Sequence, residues 1–170
     1  GVVMYTTPGF ANAIPGIANA LHAESPLLSI SGSAPLHELG RGAMQEIDQI
    51  GMSKPITKGS WMVTDIRRIP QMISHAIRVA YSGRRGPVHL SIPVDLQMNQ
   101  VSKEDVPITQ TSERQSLSST QGSPGQIEDT IQLLHSANRP LIIAGSAAAH
   151  GGSGVSLPRL VATPKLPLMP

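Results

Sequence analysis

Between Val2 and Ser31 the chain passes through a short apolar segment, a proline–glycine pair, a helix-period stretch rich in alanine and glycine, and a second apolar segment. That order limits the fold more than any other feature. Val2–Tyr5 and Leu27–Ser31 have the length and composition of strands. Phe10, Ile14, Ile17, Ala18 and Leu21 share one face at 3.6-residue spacing, which predicts a helix over Phe10–His22 entered through a Pro8–Gly9 turn. Pro15 and Gly16 cost that helix locally, but Ala11, Ala13, Gly16, Ala18 and Ala20 leave it slim enough for close packing to offset the cost. A strand, a helical crossover and a strand make a unit of a parallel sheet.

The alternation continues. Ser33–Gly42 reads as a polar loop, Met44–Met52 as holding a short helix, and Pro55–Lys58 and Trp61–Thr64 as extended pieces. Pro70 suits a first helical turn, Met72, Ile73, Ala76, Ile77 and Ala80 form an apolar stripe, and Gly83 closes it. "RRGP" then turns into the strand Val88–Ile92. The class is α/β with a parallel, doubly wound sheet. Residues 98–125 are rich in Ser, Thr, Gln and Pro without periodicity and read as a linker. Beyond them, Ile127, Thr130, Ile131 and Leu134 form a helix face, "RPLIIAG" reads as a buried strand, and Gly151–Gly154 as a flexible turn before Val155–Val161. The division is residues 1–97, 98–125 and 126–170, the last opening a second, Rossmann-like unit.

Composition removes several function classes. Only Tyr5, Phe10, Trp61 and Tyr81 are aromatic, too few for the stacking platforms of a single-stranded nucleic-acid binder. Net charge is +2, and the pairs Arg67–Arg68 and Arg84–Arg85 read as solvated surface. No cysteine is present, so disulfides, thiolate nucleophiles and cysteine zinc sites are excluded. No apolar run approaches the ~20 residues of a membrane span, and no signal peptide is visible, so a cytoplasmic location without membrane contact is expected. "GVVMY" and "KLPLMP" both look like strand interiors, so the sequence reads as a fragment.

Individual residues are weak signals. Gly9 frees the backbone to approach a ligand at a helix start, or serves an ordinary strand-to-helix turn. Asn12, a turn later, caps, is solvated, or hydrogen-bonds a ring. His22-Ala23-Glu24 has the H-x-E form of zinc deaminases but lacks their cysteine pair. His37, His75, His89, His135 and His150 show no metal spacing, and His89 reads as a packed or solvent-facing strand residue. Asp95, after Pro93 at a strand end, reads as a turn-stabilising carboxylate.

In order, however, "TTPGFAN", "SPLLSISG", "AMQEID", "KPITK" and "AYSGRRGPVHLSIPVDLQ" resemble segments of the thiamine-diphosphate (ThDP) enzymes of the acetolactate synthase group. "NRPLIIAGSAAAHGGSG" resembles the start of that family's central domain. The resemblance implies a ThDP-binding fold: residues 1–97 as the later part of the pyrimidine-binding domain, followed by the start of the central domain. It implies that Pro8 and Gly9 line the aminopyrimidine pocket, that Asn12 contacts its surroundings, and that Gln45 stands at the active-site mouth. Glu46 reads as a structural partner of nearby backbone or arginine groups. No residue of this chain is assigned a catalytic or metal-binding role. The family's activating Glu is expected before residue 1, and its G-D-G…N motif, which holds diphosphate and Mg²⁺, does not occur here.

The implied function is that of a piece of a ThDP- and Mg²⁺-dependent carboligase or decarboxylase of 2-oxo acids. The piece is expected to be inactive alone and to show no binding in a titration with ThDP and Mg²⁺. Pyruvate condensation to acetolactate leads; benzaldehyde lyase-, oxalyl-CoA decarboxylase- and 2-hydroxyacyl-CoA lyase-like chemistry follow. The resemblance also implies a homodimer or homotetramer for the intact enzyme. Three departures bear on substrate: a glycine is missing before Pro8, Met44 replaces the family's Phe, and Val94 stands where acetolactate synthases often carry Lys. Gly145-Ser146-Ala147 supports no FAD assignment. A non-catalytic α/β remnant or dimerisation module is the rival from another class. A dinucleotide binder is the third reading, and it lacks G-x-G-x-x-G.

Overall fold

A computed structural model describes residues 1–107, 122–146, 148, 153–162 and 167–169. Two compact units result, residues 1–117 and 118–170. The first holds β1 (Val2–Tyr5), α1 (Thr7–His22), β2 (Leu28–Ser33), α2 (Gln49–Ser53), β3 (Ser60–Met62), α3 (Ile69–Tyr81), β4 (Val88–Pro93) and α4 (Val94–Met98). All four strands are parallel, in the order β1-β2-β4-β3. This is the α/β arrangement that the alternation of strand and helix segments demands.

The sheet has two chemically different faces, because β2 reads Leu-Ser-Ile-Ser-Gly-Ser and β4 reads Val-His-Leu-Ser-Ile-Pro. Register places Leu28 beside Val88 and Ile30 beside Leu90, and Trp61 of β3 beside Leu90 from the other side. On this apolar face α3 lays down Ala76 and Ala80, with Met72, Ile73 and Ile77 around them. Alanines at the centre of the stripe let the helix approach the sheet closely. Leu96 of α4 joins Val63 and Ile92 in a second cluster at the same face's end. The opposite face carries Ser29, Ser31 and Ser33 from β2 and His89 and Ser91 from β4, all buried. It is covered by α1, which turns Phe10 and Ile17 inward, and by α2, which buries Gln49 and Ser53.

Several boundaries differ from the sequence expectation. Helix α1 begins at Thr7, so Pro8 and Gly9 lie in its first turn and not in a separate bend. A proline loses no hydrogen bond in a first turn, and Thr6 is already extended as the N-cap. Lys54–Ile56 is a 3₁₀ turn where an extended piece is expected, and β3 is Ser60–Met62.

Lys58 explains why the "KPITK" segment runs where it does. Its ammonium donates to the carbonyls of Val79 and Ser82 at the end of α3, the first of which also accepts from the Ser82 N–H and hydroxyl. A side chain on Gly86 would come within 3.2 Å of the Lys58 stem. Lys58→Met keeps the stem and removes the donor. It is expected to cost about 1–2 kcal/mol, read from urea midpoints; an unchanged midpoint would show that the cap is immaterial.

In the second unit α5 (Pro124–Ser136) starts on a capping box, the Ser123 hydroxyl accepting from the Gln126 N–H while the Gln126 side-chain Oε1 accepts from the Ser123 N–H. The helix therefore begins inside the stretch read as linker; residues 108–121 of that stretch lie outside the described residues. β5 (Ile142–Ile143) pairs in parallel with β6 (Leu168–Met169). "RPLIIAG" is thus a two-residue strand and not a buried one: Ile143 is 72% exposed. Only β6 pairs with it among the described residues, and Ile142 is half-buried. α6 (Ser153–Ala162) is helical through the segment read as following a flexible turn; Gly151 and Gly152 lie outside the described residues.

Candidate functional site

The candidate site lies beyond the C-terminal ends of β2 and β4, the usual ligand position of open parallel sheets. After β2, Leu36 packs against the cluster of Val63, Ile92 and Leu96 before the chain crosses to the serine face at α2; after β4 the chain enters α4, whose Leu96 belongs to that same cluster. Asp95 spans the two exits, its carboxylate accepting from the Leu36 N–H at 3.2 and 3.3 Å. This is the turn-stabilising role read from the sequence.

Helix α1 brings its N-terminus to the same edge. The Thr7 hydroxyl donates to the Gly32 carbonyl at 3.1 Å, tying the first turn to the end of β2. Thr6 supplies no side-chain cap, so the N–H groups of the first turn are not met by it. Next to Gly32, the Ser33 hydroxyl is buried and has no hydrogen-bond partner among the described residues. The Ser29 hydroxyl, four residues earlier on the same face of β2, shares that state, and burying a hydroxyl unpaired costs about 1–3 kcal/mol.

Pro8, Gly9 and Asn12 all lie in the first two turns of α1, and Asn12 is exposed. Gly9 has a packing reason of its own. A Cβ there would meet the Tyr5 Cβ at 3.3 Å, so glycine lets α1 close down on the end of β1. Gln45 lies elsewhere, in the exposed turn leading to α2, with φ +62°. Left-handed backbone at a non-glycine residue is a stored cost that marks functional turns. The turn is held open by Glu46, whose carboxylate accepts from the N–H groups of Gly40 and Ala43, and by Asp48, which caps α2 through the Gly51 N–H at 2.8 Å. Glu46 is therefore a partner of backbone, as read.

Sequence reasoning missed the group beneath them. Gln49 accepts from the hydroxyls of Ser31 and Ser91, each at 2.7 Å, and donates to the Gly32 carbonyl at 2.8 Å. His89 is fully buried, its ring 4.5 Å from that of Phe10. Its Nε2 is 2.8 Å from the Ser31 hydroxyl, and its Nδ1 is 3.1 and 3.0 Å from those of Ser53 and Ser60. Burial lowers its pKa to about 4, so the ring is neutral at pH 7. The signal was present: serines and His89 alternate with aliphatics in both central strands. Among the described residues no three potential metal ligands cluster, and no helix is long and apolar enough to cross a membrane.

The fold is that of an α/β domain with a parallel four-stranded sheet and flanking helices. Residues 1–52 match the family described as thiamine pyrophosphate enzyme, N-terminal TPP binding domain. A probable acetolactate synthase large subunit of Methanocaldococcus jannaschii is 34% identical over 99% of this chain and 29% of its own length. The acetolactate synthase isozyme 3 large subunit of Escherichia coli is 35% identical, over 99% and 30%. A 2-hydroxyacyl-CoA lyase of Arabidopsis thaliana is 33% identical, over 96% and 29%. The chain carries a ThDP-binding enzyme domain homologous to acetolactate-synthase-like large subunits. It spans about three-tenths of the length of these relatives.

Proposed function

We propose that residues 1–97 form the aminopyrimidine side of the cofactor site in a ThDP- and Mg²⁺-dependent enzyme of 2-oxo acids. The observation that carries the reading is the α1 N-terminus, uncapped by Thr6, pinned by Thr7 to Gly32 beside the unpartnered Ser33 hydroxyl. The donor set suits an aminopyrimidine, whose ring nitrogens accept and whose amine donates. Pro8 and Gly9 would supply the wall, and Asn12 and Gln45 the amides. The bound cofactor supplies the electron sink for carbon–carbon bond cleavage and formation beside the 2-oxo group. This chain's share is binding and orientation. The diphosphate and Mg²⁺ fall to residues outside it, and a dimer or tetramer of the intact enzyme is part of the reading, as is the assignment of residues 126–170 to the start of a central domain.

Pyruvate condensation to acetolactate is the leading reaction. Cleavage of a 2-hydroxyacyl-CoA is the second, favoured by Val94 at the position where acetolactate synthases often carry Lys. In the gene product that carries this segment, Asn12→Ala and Gln45→Ala are each expected to weaken ThDP binding about tenfold, the worth of one hydrogen bond. Calorimetric titration in Mg²⁺ measures it. Gln71→Ala, exposed on α3, serves as the control. Wild-type affinity in both variants would overturn the assignment.

A further inference from the structure

The polar contacts under α1 and α2 allow only one placement of protons at the crevice end. The Gln49 amide faces two hydroxyls with one atom and the Gly32 carbonyl with the other. Only its nitrogen can face a carbonyl, so Oε1 takes both hydroxyl protons. Ser31 has then spent its single proton on Gln49, and its 2.8 Å contact with His89 Nε2 must be an N–H donation to the hydroxyl oxygen. His89 is therefore the Nε2–H tautomer. The Ser53 hydroxyl donates to the Gln49 backbone carbonyl at 2.7 Å, so the bare Nδ1 of His89 accepts from Ser60 at 3.0 Å.

We propose that His89, Ser31 and Gln49 form one directional hydrogen-bond chain, and that Gln49 is the positioning residue through which it fixes the Gly32 carbonyl and hence the α1 N-terminus. The chain runs from the Ser60 hydroxyl to His89 Nδ1, from Nε2–H to Ser31, from Ser31 to Gln49 Oε1, and from Gln49 Nε2–H to Gly32. Thr7 donates to the same carbonyl from α1, so Gly32 is held from two sides. The groups that face His89 are Phe10 from α1, Ser31 from β2, Gln49 (through Ser31) and Ser53 from α2, and Ser60 from β3; none carries a charge. Tyr5 of β1 is the titratable residue bordering this face, in register with Ser31. The functional meaning of the chain rests on the crevice reading above; its existence does not.

Gln49→Glu makes the proposal testable in a way that loss of packing cannot imitate. A protonated carboxyl can keep the carboxamide's pattern, one oxygen accepting from the serines and the O–H donating to Gly32. A carboxylate has no proton for Gly32. In ¹H–¹⁵N spectra of the chain, the amides of Thr7, Gly9 and Gly32 in Gln49→Glu should depart from wild type at pH 8 and return toward it as the pH falls to 6. Gln49→Met should show the departure at both pH values. The wild-type ring nitrogens of His89 should show Nε2 protonated and Nδ1 bare at pH 7, a measurement that needs no variant. An Nδ1–H tautomer, or a Gln49→Glu spectrum at Thr7 and Gly9 that matches wild type at pH 8, would overturn the proposal. If these results hold while Asn12→Ala and Gln45→Ala bind ThDP as wild type does, the crevice reading fails and the hydrogen-bond chain stands.

Discussion

Truncating Leu90 to alanine is expected to lower the unfolding free energy of the first unit by about 3 kcal/mol. Leu90 is fully buried in the central strand β4, between Ile30 on one side and Trp61 on the other, with α3 across it. The surroundings have little to collapse with. The alanines of α3 are already against the sheet, and the neighbouring strands are fixed in register by their ladders. The cavity should therefore persist and add its cost to the lost transfer energy. Urea unfolding measures it; Leu133→Ala, at a side chain 69% exposed on α5, should move the midpoint little. A Leu90→Ala loss below about 1 kcal/mol would mean that the apolar face is not the core described here.

The second large effect is a pH dependence. His89 is held neutral by burial, with its pKa lowered to about 4 from the ordinary 6.5. Above pH 6.5 both folded and unfolded chains leave it neutral, and the full stability is present. As the pH falls from 6.5 to 4 the unfolded chain takes up a proton that the folded one refuses, so stability drops. Integrated over that window, the loss is about 3 kcal/mol, and below pH 4 this group adds no further slope. His89→Phe removes the titration. Wild type and variant compared at pH 7.5 and 4.5 should differ in slope by most of that amount, after carboxylates common to both cancel. Equal slopes would show that the ring titrates normally and is not enclosed.

The two faces of the sheet show how far the sequence could be read. The strand segments and the α3 stripe were legible because apolar residues recur at the sheet and helix periods over enough length to override local noise. The start of α1 was not, because Pro8 and Gly9 suit a turn as well as the first turn of a helix, where proline's missing N–H costs nothing. "RPLIIAG" misled because an apolar run signals burial only when neighbours cover both of its faces. At the site, Pro8, Gly9, Asn12 and Gln45 came from resemblance, and the structure adds reasons for Gly9 and Gln45: a close helix–strand approach and a left-handed turn. Gln49, Ser31 and His89 had no motif to announce them. They matter through contacts between residues 18, 42 and 58 positions apart, which a linear reading does not supply.

Hydrogen exchange on the gene product that carries this segment, with and without ThDP and Mg²⁺, meets the central reading most directly. Slower exchange on cofactor addition is predicted in the first turns of α1, residues 7–12, and in the turn of residues 43–49, with α3 unaltered. Bound cofactor with both segments exchanging at their unliganded rates would contradict it.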